Sequence, residues 1–249
     1  MSPPTSTLPQ SAARPGYSPL YLQVKQTLVE KMIAGEWPPG ALLPSEQQLG
    51  LRLGVSQGTV RKALDALASE NIVVRHQGRG TFVSEHDQQR TLFQFFKLVD
   101  EQGEKRFPET VDSRLSLVAA NAAERAAFGL GANARVWHLF RNRALKGKIT
   151  LTEKITLAAE RFPRLDAHKP LPNNVYQLYE RQYGTTITRA VEKLRAVLAD
   201  DRDAEALGCS VGAPILQIDR NAYGLDGALA EVRRSHCMTE DFHYLSDLH

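Results

Sequence analysis

The sequence predicts an α+β protein in two parts, a small helical unit closed by a β-hairpin and a larger unit in which strands and helices mix. Three observations carry that prediction. Between Ser18 and Asn71 apolar residues recur at helical spacing behind N-cap residues. From Ile72 to Val83 two short β segments flank a glycine-rich turn. Beyond about Thr91 the pattern becomes strand-rich and repeats once, with matched residues such as Arg141 and Arg220 standing 79 apart. The 249 residues, 42% hydrophobic and 24% charged, suffice for a buried core and exclude collagen-like, coiled-coil and wholly disordered chains. No run approaches the ~18 apolar residues of a membrane span, and the amino terminus lacks a signal-peptide pattern, so a cytoplasmic protein with no membrane partner is expected. Two separated cysteines, Cys209 and Cys237, fit a reducing compartment.

Residues 1–16, with Pro3, Pro4, Pro9 and Pro15 among Ser, Thr and Gln, read as a flexible tail. The first helix starts at Ser18-Pro19, with Ser18 as cap and Leu20, Val24, Leu28 and Met32 along its buried face, and Gly35 ends it. Trp37-Pro38-Pro39-Gly40 is a turn. Ser45 and Gln48 form a capping box for a short second helix that stops at Gly54. Ser56 caps the third, whose Val60, Ala63, Leu64 and Leu67 fall on one face.

That buried face leaves Gln57, Gly58, Arg61 and Lys62 pointing outward near the start of the third helix, small, polar and basic as a DNA groove requires. Ile72–Arg75 and Thr81–Val83 then make a hairpin whose turn presents Arg79 between Gly78 and Gly80. The whole is a winged helix-turn-helix over 17–85, in which the third helix enters the major groove and Arg79 meets a phosphate or the minor groove. Five basic residues against two acidic ones between Arg52 and Val83, in a chain of net charge only +3, place a polyanion partner there.

After a linker at 86–103, residues 104–249 form the larger unit. Phe128-Gly129, Val136 and Arg141-Asn142 match Leu207-Gly208, Ile215 and Arg220-Asn221. Each copy reads as a short helix, a strand, a tight turn and a return strand carrying Glu153 or Glu231, and two such halves would pair their strands about a pseudo-twofold axis. Strand alternation puts Arg141 and Arg143 on one face, away from Asn142. Two adjacent guanidiniums call for an anion between them, either a ligand's phosphate or carboxylate or a side chain such as Glu153. A solvated outer face is the other reading of the pair.

Leu43-Pro44-Ser45-Glu46, Leu53-Gly54-Val55-Ser56, Thr59-Val60-Arg61 and Gly78-Arg79-Gly80-Thr81-Phe82-Val83 resemble the DNA-binding domain of GntR-type bacterial regulators. The resemblance implies that Ser45, Gln47, Ser56 and Thr59 join Gln57, Gly58, Arg61, Lys62 and the wing at the DNA. The family commonly has Arg at the positions of Gln47 and Gln57, and since Gln favours adenine where Arg favours guanine, an altered operator is expected. Ala119 to Leu245, with Arg141-Asn142-Arg143, Glu153, Asn174-Val175-Tyr176, Tyr183-Gly184, Glu192 and Glu231-Val232-Arg233-Arg234-Ser235, resembles the UTRA effector domain of the HutC branch, whose fold is similar to chorismate lyase. This implies that Arg141 and Arg143 hold an effector's anionic group and that Glu153 and Glu231 belong to the same site. A linker hydroxyl of the family corresponds to Gln94, a Ser before a helix start to Asn174, and a late-strand Tyr to Cys237. With those groups changed, the implied effector is a small anionic metabolite rather than specifically a phosphate.

The chain carries no nucleophile elbow, P-loop, dinucleotide fingerprint or zincin helix, so no enzyme, cofactor or metal is expected. The main expectation is a transcription regulator, a repressor relieved by its effector, bound as a homodimer to a pseudo-palindromic double-stranded operator with half-sites ~34 Å or a multiple apart. Two further readings stay open: a metal or redox sensor using His236 and Cys237, and a lyase-like enzyme tethered to DNA.

Overall fold

The computed structural model describes residues 18–85, 91 and 94–246; the expected tail at 1–16 and residues 86–90, 92 and 93 of the expected linker lie outside the described residues. Helix α1 spans Leu20–Ile33 and buries Val24, Leu28, Val29 and Met32. Its start falls one residue later than the cap at Ser18 predicts. Pro19 has extended backbone angles and is the N-cap, with Leu22 and Gln23 amides donating to its carbonyl, so Leu20 lies in the first turn and half exposed. Helices α2 (Glu46–Leu53) and α3 (Gln57–Ser69) carry the expected caps: Ser45 and Gln48 close a reciprocal box, and the Ser56 hydroxyl accepts from the Thr59 amide at 3.2 Å. Val60, Ala63, Leu64 and Leu67 are buried against α1 and Trp37.

The turn from α2 to α3 is tight because Gly50 has no side chain. A Cβ there would sit 2.9 Å from the Val55 carbonyl oxygen, whereas the Val55 amide donates to the Gly50 carbonyl at 3.0 Å. Strands β1 (Val73–His76) and β2 (Gly80–Val83) form the hairpin, and Leu42 bridges to Phe82 on its far side.

The larger unit is a six-stranded antiparallel sheet. A short strand β3 (Leu98–Asp100) pairs with β10 (Phe242–Tyr244) beside it. Then follow β4 (Glu109–Ala119), α4 (Ala122–Phe128), β5 (Arg135–Leu145), β6 (Lys148–Ala158), a 3-10 turn at Leu165–His168, and α5 (Val175–Tyr183). The second half is β7 (Ile187–Leu198), α6 (Asp201–Leu207), β8 (Pro214–Gly224) and β9 (Leu229–Cys237). The strand order β4-β5-β6-β9-β8-β7 is the expected pair of halves meeting at β6 and β9. The repeat unit is one strand longer than the helix-hairpin read from sequence, since β4 and β7 belong to it as well. Both halves also break register at the same place, after Arg143 against β6 and after Ala222 against β9.

The register corrects one equivalence. Arg141 faces Glu153 across β5 and β6, but its counterpart Arg220 faces Arg233, so Glu153 and Glu231 are not repeat mates. Helix α6 packs on β6 and α4 on β9, each on the central strand of the other half. The opposite face buries Trp137, Leu139, Ile155 and Leu157 beneath Tyr176 and Tyr179 of α5. Phe95, from the second half of the expected linker, belongs to this core, and Leu98–Asp100 is paired in the neighbouring ladder. Leu225, in the β8–β9 turn, packs against the core of the helical unit.

Candidate nucleic-acid interface and candidate ligand cavity

The first turn of α3 presents Gln57, Gly58, Arg61 and Lys62 to solvent, with Gln47 exposed on α2 and Gly78, Arg79 and Gly80 exposed in the hairpin turn. Thr59 is half-buried, and its hydroxyl lies 2.9 Å from that of Ser56. The Ser45 and Ser56 hydroxyls are engaged as helix caps, so their first role is to fix where α2 and α3 begin. The Arg79 guanidinium rests over the Phe82 ring at 6.0 Å, which holds it at the hairpin tip. A shallow groove bounded by Leu43–Gln48, Gln57, Arg79 and Thr81 runs between hairpin and helices.

Sequence reasoning missed Glu46, quoted only as part of a motif. Its Oε2 accepts from Arg61 Nε at 2.9 Å and from Gln57 Nε2 at 3.2 Å, and Arg61 Nη2 is also 2.9 Å away. Arg75 lies 3.5 Å from its Oε1 and 2.7 Å from Asp65, so this basic residue of the hairpin is committed to protein partners. The hydrogen bond from Arg61, foremost, holds the Glu46 carboxyl below the usual carboxylate range. No spacing rule in the sequence pairs them, because the first residue of α2 meets Gln57 and Arg61 of α3 only through the tight turn at Gly50.

In the larger unit Arg141 and Arg143 continue the inward stripe of Trp137 and Leu139, and both are buried. The anion between them is Glu153. Its Oε2 accepts from Arg141 Nη2 at 2.6 Å and Arg143 Nη1 at 3.0 Å, and its Oε1 accepts from Arg233 Nη1 at 2.9 Å. Burial alone would raise the Glu153 carboxyl, but Arg141, Arg233 and Arg143 outweigh it and hold the group well below the usual carboxylate range. Burial pushes the Arg143 guanidinium down to about 10. Asn142 points the other way and donates to Asp112 at 2.9 Å.

These arginines line a cavity of about 30 Å³, room for one or two waters, together with Thr91, Phe95, Phe107, Asn173, Asn174 and Tyr176. Arg220 and Arg233 of the second half reach the same wall. Sequence reasoning left both out of the site, although the Arg220 match to Arg141 pointed there. Among the described residues Arg143 Nε finds no hydrogen-bond partner although it is buried. Asn174 caps α5 and donates to Thr91 Oγ1 at 3.2 Å.

Gln94 and Glu231 are not brought to the cavity wall. Gln94 Nε2 donates to the Thr188 carbonyl at 3.4 Å, while Glu231, fully buried, is saturated by the hydroxyls of Tyr176 and Tyr179 and by Arg233. Glu231 thereby orients Arg233 from behind. His236 and Cys237 lie on opposite faces of β9. The His236 ring meets Asp203 at 2.7 Å and Gln217 at 3.2 Å, whereas Cys237 sits among Leu98, Leu145, Leu151 and Phe242, where burial pushes its thiol up. Among the described residues no cluster of His, Cys, Asp or Glu has metal-holding geometry. No helix among the described residues is long and apolar enough to cross a membrane.

A winged helix-turn-helix joined to a two-fold repeat sheet with an arginine-lined cavity defines a ligand-responsive transcription regulator. The chain belongs to the GntR family of bacterial regulatory proteins, matched over residues 20–83, and carries a UTRA domain, matched over 104–243. It is 29% identical over 231 residues to the mannosyl-D-glycerate transport/metabolism system repressor MngR of Escherichia coli (strain K12), covering 92% of this chain and 95% of that one. It is 28% identical over 226 residues to the histidine utilization repressor of Pseudomonas putida, covering 89% of each. The ligand-binding domain of a GntR-family regulator from Bordetella bronchiseptica superposes with a TM-score of 0.56 at 28% identity, over 61% of this chain and 96% of that one. The matched relatives are transcriptional repressors, which favours regulation over the metal-sensing and enzymatic readings.

Replacing Glu153 by Gln leaves three buried guanidiniums with one carboxylate fewer, and a loss of about 3–5 kcal/mol at neutral pH is expected. Because the folded carboxyl is depressed below its ordinary 4.5, this contribution is complete above that pH and declines as pH falls below it. Urea unfolding of both proteins at pH 7 and pH 3 checks the effect: the gap between them should narrow in acid.

Proposed function

We propose that this chain is a repressor that binds a pseudo-palindromic operator as a homodimer, reads bases with Gln57 and Arg61, and is controlled by a small anionic effector held at Arg141, Arg143 and Asn174. The observation that carries the DNA half is the exposed, capped first turn of α3 with Gln57, Arg61 and Lys62 outward and Arg79 on the adjacent hairpin. Gln47, Ser45, Ser56, Gly58, Thr59, Gly78 and Gly80 shape or flank that surface. Lys62 and Arg79 meet phosphates, which position without specifying. A single short helix reads few base pairs, so two copies are needed for a selective site. The protein works in the cytoplasm, where its operator is.

The effector half is carried by charge. Among the described residues the buried guanidiniums of Arg141, Arg143 and Arg233 are matched by two buried carboxylates, Glu153 and Glu231, which leaves an excess positive charge and an Arg143 Nε with no hydrogen-bond partner. An oxyanion with two or more acceptors would satisfy both. The cavity has room for one or two waters, so binding a larger effector must move its wall. Thr91 and Phe95, which line the cavity, are the part of the wall we propose to shift. Effector binding then differs between two arrangements of the connector, the condition for shifting operator affinity. Glu231 and Gln94 take part at one remove, through Arg233 and through the connector.

Gln57→Arg is expected to shift preference towards guanine at one position of each half-site when duplexes are selected from a randomised library; an unchanged profile would remove Gln57 from the base contacts. Arg143→Lys keeps the charge but removes Nε and the planar fork. In a thermal-shift screen of anionic catabolites, the compound that stabilises the native chain is expected to lose its effect on this variant while operator binding persists. Undiminished stabilisation would place the effector elsewhere.

A further inference from the structure

The side chains proposed to read bases are not free on the surface. Arg61 and Gln57 converge on one oxygen of Glu46, at the first position of α2, and Arg75 closes on the other oxygen. An acid in the first turn of a helix is favoured by the helix dipole alone. That effect does not require the carboxylate to lie 15 residues up the chain from Arg61 and within 2.9 Å of both its Nε and Nη2.

We infer that Glu46 is a positioning residue for operator recognition, gripping Arg61 from the side so that the far edge of its guanidinium meets a base. A guanidinium carries five N–H donors in a planar fork. Glu46 engages the Nε edge, leaving both N–H groups of Nη1 and one of Nη2 along the outer edge. That edge is the one that matches guanine O6 and N7. The same carboxylate oxygen takes one Nε2 hydrogen of Gln57, leaving the other and Oε1 outward as the donor and acceptor that fit an adenine edge. Arg61 is otherwise a long, largely exposed side chain whose rotamer freedom would have to be lost at each binding event. Held in advance, it loses less. The carboxylate also repels phosphates, so it lowers affinity for any duplex while favouring the one whose bases fit. The inference rests on the proposed reading of DNA by α3, and it assigns a discriminating role to a residue that would touch no base.

The test is a double-mutant cycle read as discrimination: the ratio of affinities for the duplex enriched by the native chain from a randomised library and for a scrambled duplex of the same length. Glu46→Ala is expected to lower this ratio about tenfold, the scale of one good base contact, and to raise affinity for the scrambled duplex. Arg61→Ala is expected to lower it similarly. In the double variant Glu46→Ala adds little further, because the side chain it positions is gone. A merely structural role, through a weakened α2, predicts the same additional loss in both backgrounds, and that result overturns the inference. Glu46→Gln, which keeps size and shape and retains one neutral acceptor, is expected to fall between native and Ala. If Glu46→Ala does not fold, the cycle is run with Glu46→Gln under the same criterion. A native chain that enriches no duplex would instead refute the proposed DNA reading.

Discussion

The larger unit depends on one carboxylate placed where its two halves join. Glu153 lies on β6, and the strand that pairs with β6 across the seam is β9, which carries Arg233. Three buried guanidiniums would repel one another and unfold the seam; Glu153 collects Arg141 and Arg143 from its own half and Arg233 from the other. Each of these charges is costly to bury alone, and together they are tolerable only because the hydrogen-bond geometry is nearly complete. Glu231 extends it from behind, bound by two tyrosine hydroxyls and by Arg233. Burial first, and the Glu231 charge second, push the Tyr179 hydroxyl well above its ordinary range, so it remains a donor to the carboxylate.

Among the described residues the network stops one hydrogen bond short, at Arg143 Nε, and Arg143 lines the cavity. The same wall is shared by Arg220, which binds Glu192 and the Phe95 carbonyl. Strand β8 runs from Arg220 to the turn where Leu225 packs against the helical unit, and Thr91 and Phe95 line the cavity. The charged seam is therefore physically continuous with the DNA-facing unit through β8 and Leu225.

Much of the amino-terminal unit was legible because its signals are local. Ser45 with Gln48, Ser56, and the i, i+3, i+4, i+7 set from Val60 to Leu67 act within a few residues and sit where the spacing puts them. Ser18 misled because a proline following a serine fits two cap registers, and backbone angles at Pro19 chose the later one. The repeat was legible in β5 and β8 through Arg-Asn, yet not in β4 and β7, whose side chains diverge while their register stays. Glu153 was nameable as the anion between two arginines because alternation fixes the face. The roles of Arg233, Glu231 and Glu46 were not, since each depends on a contact between elements that no period in the chain encodes.

Glu153 stays ionised at the seam because guanidiniums from both halves hold its carboxyl well below the usual carboxylate range. The deciding measurement follows the Glu153 side-chain carboxyl carbon by NMR as pH is lowered in the folded protein. No titration of this group is expected from pH 7 down through 4.5, its ordinary value, with titration appearing only in stronger acid. A Glu153 carboxyl that titrates at or above 4.5 would mean that burial outweighs the guanidiniums, and the seam would have to be held by something else.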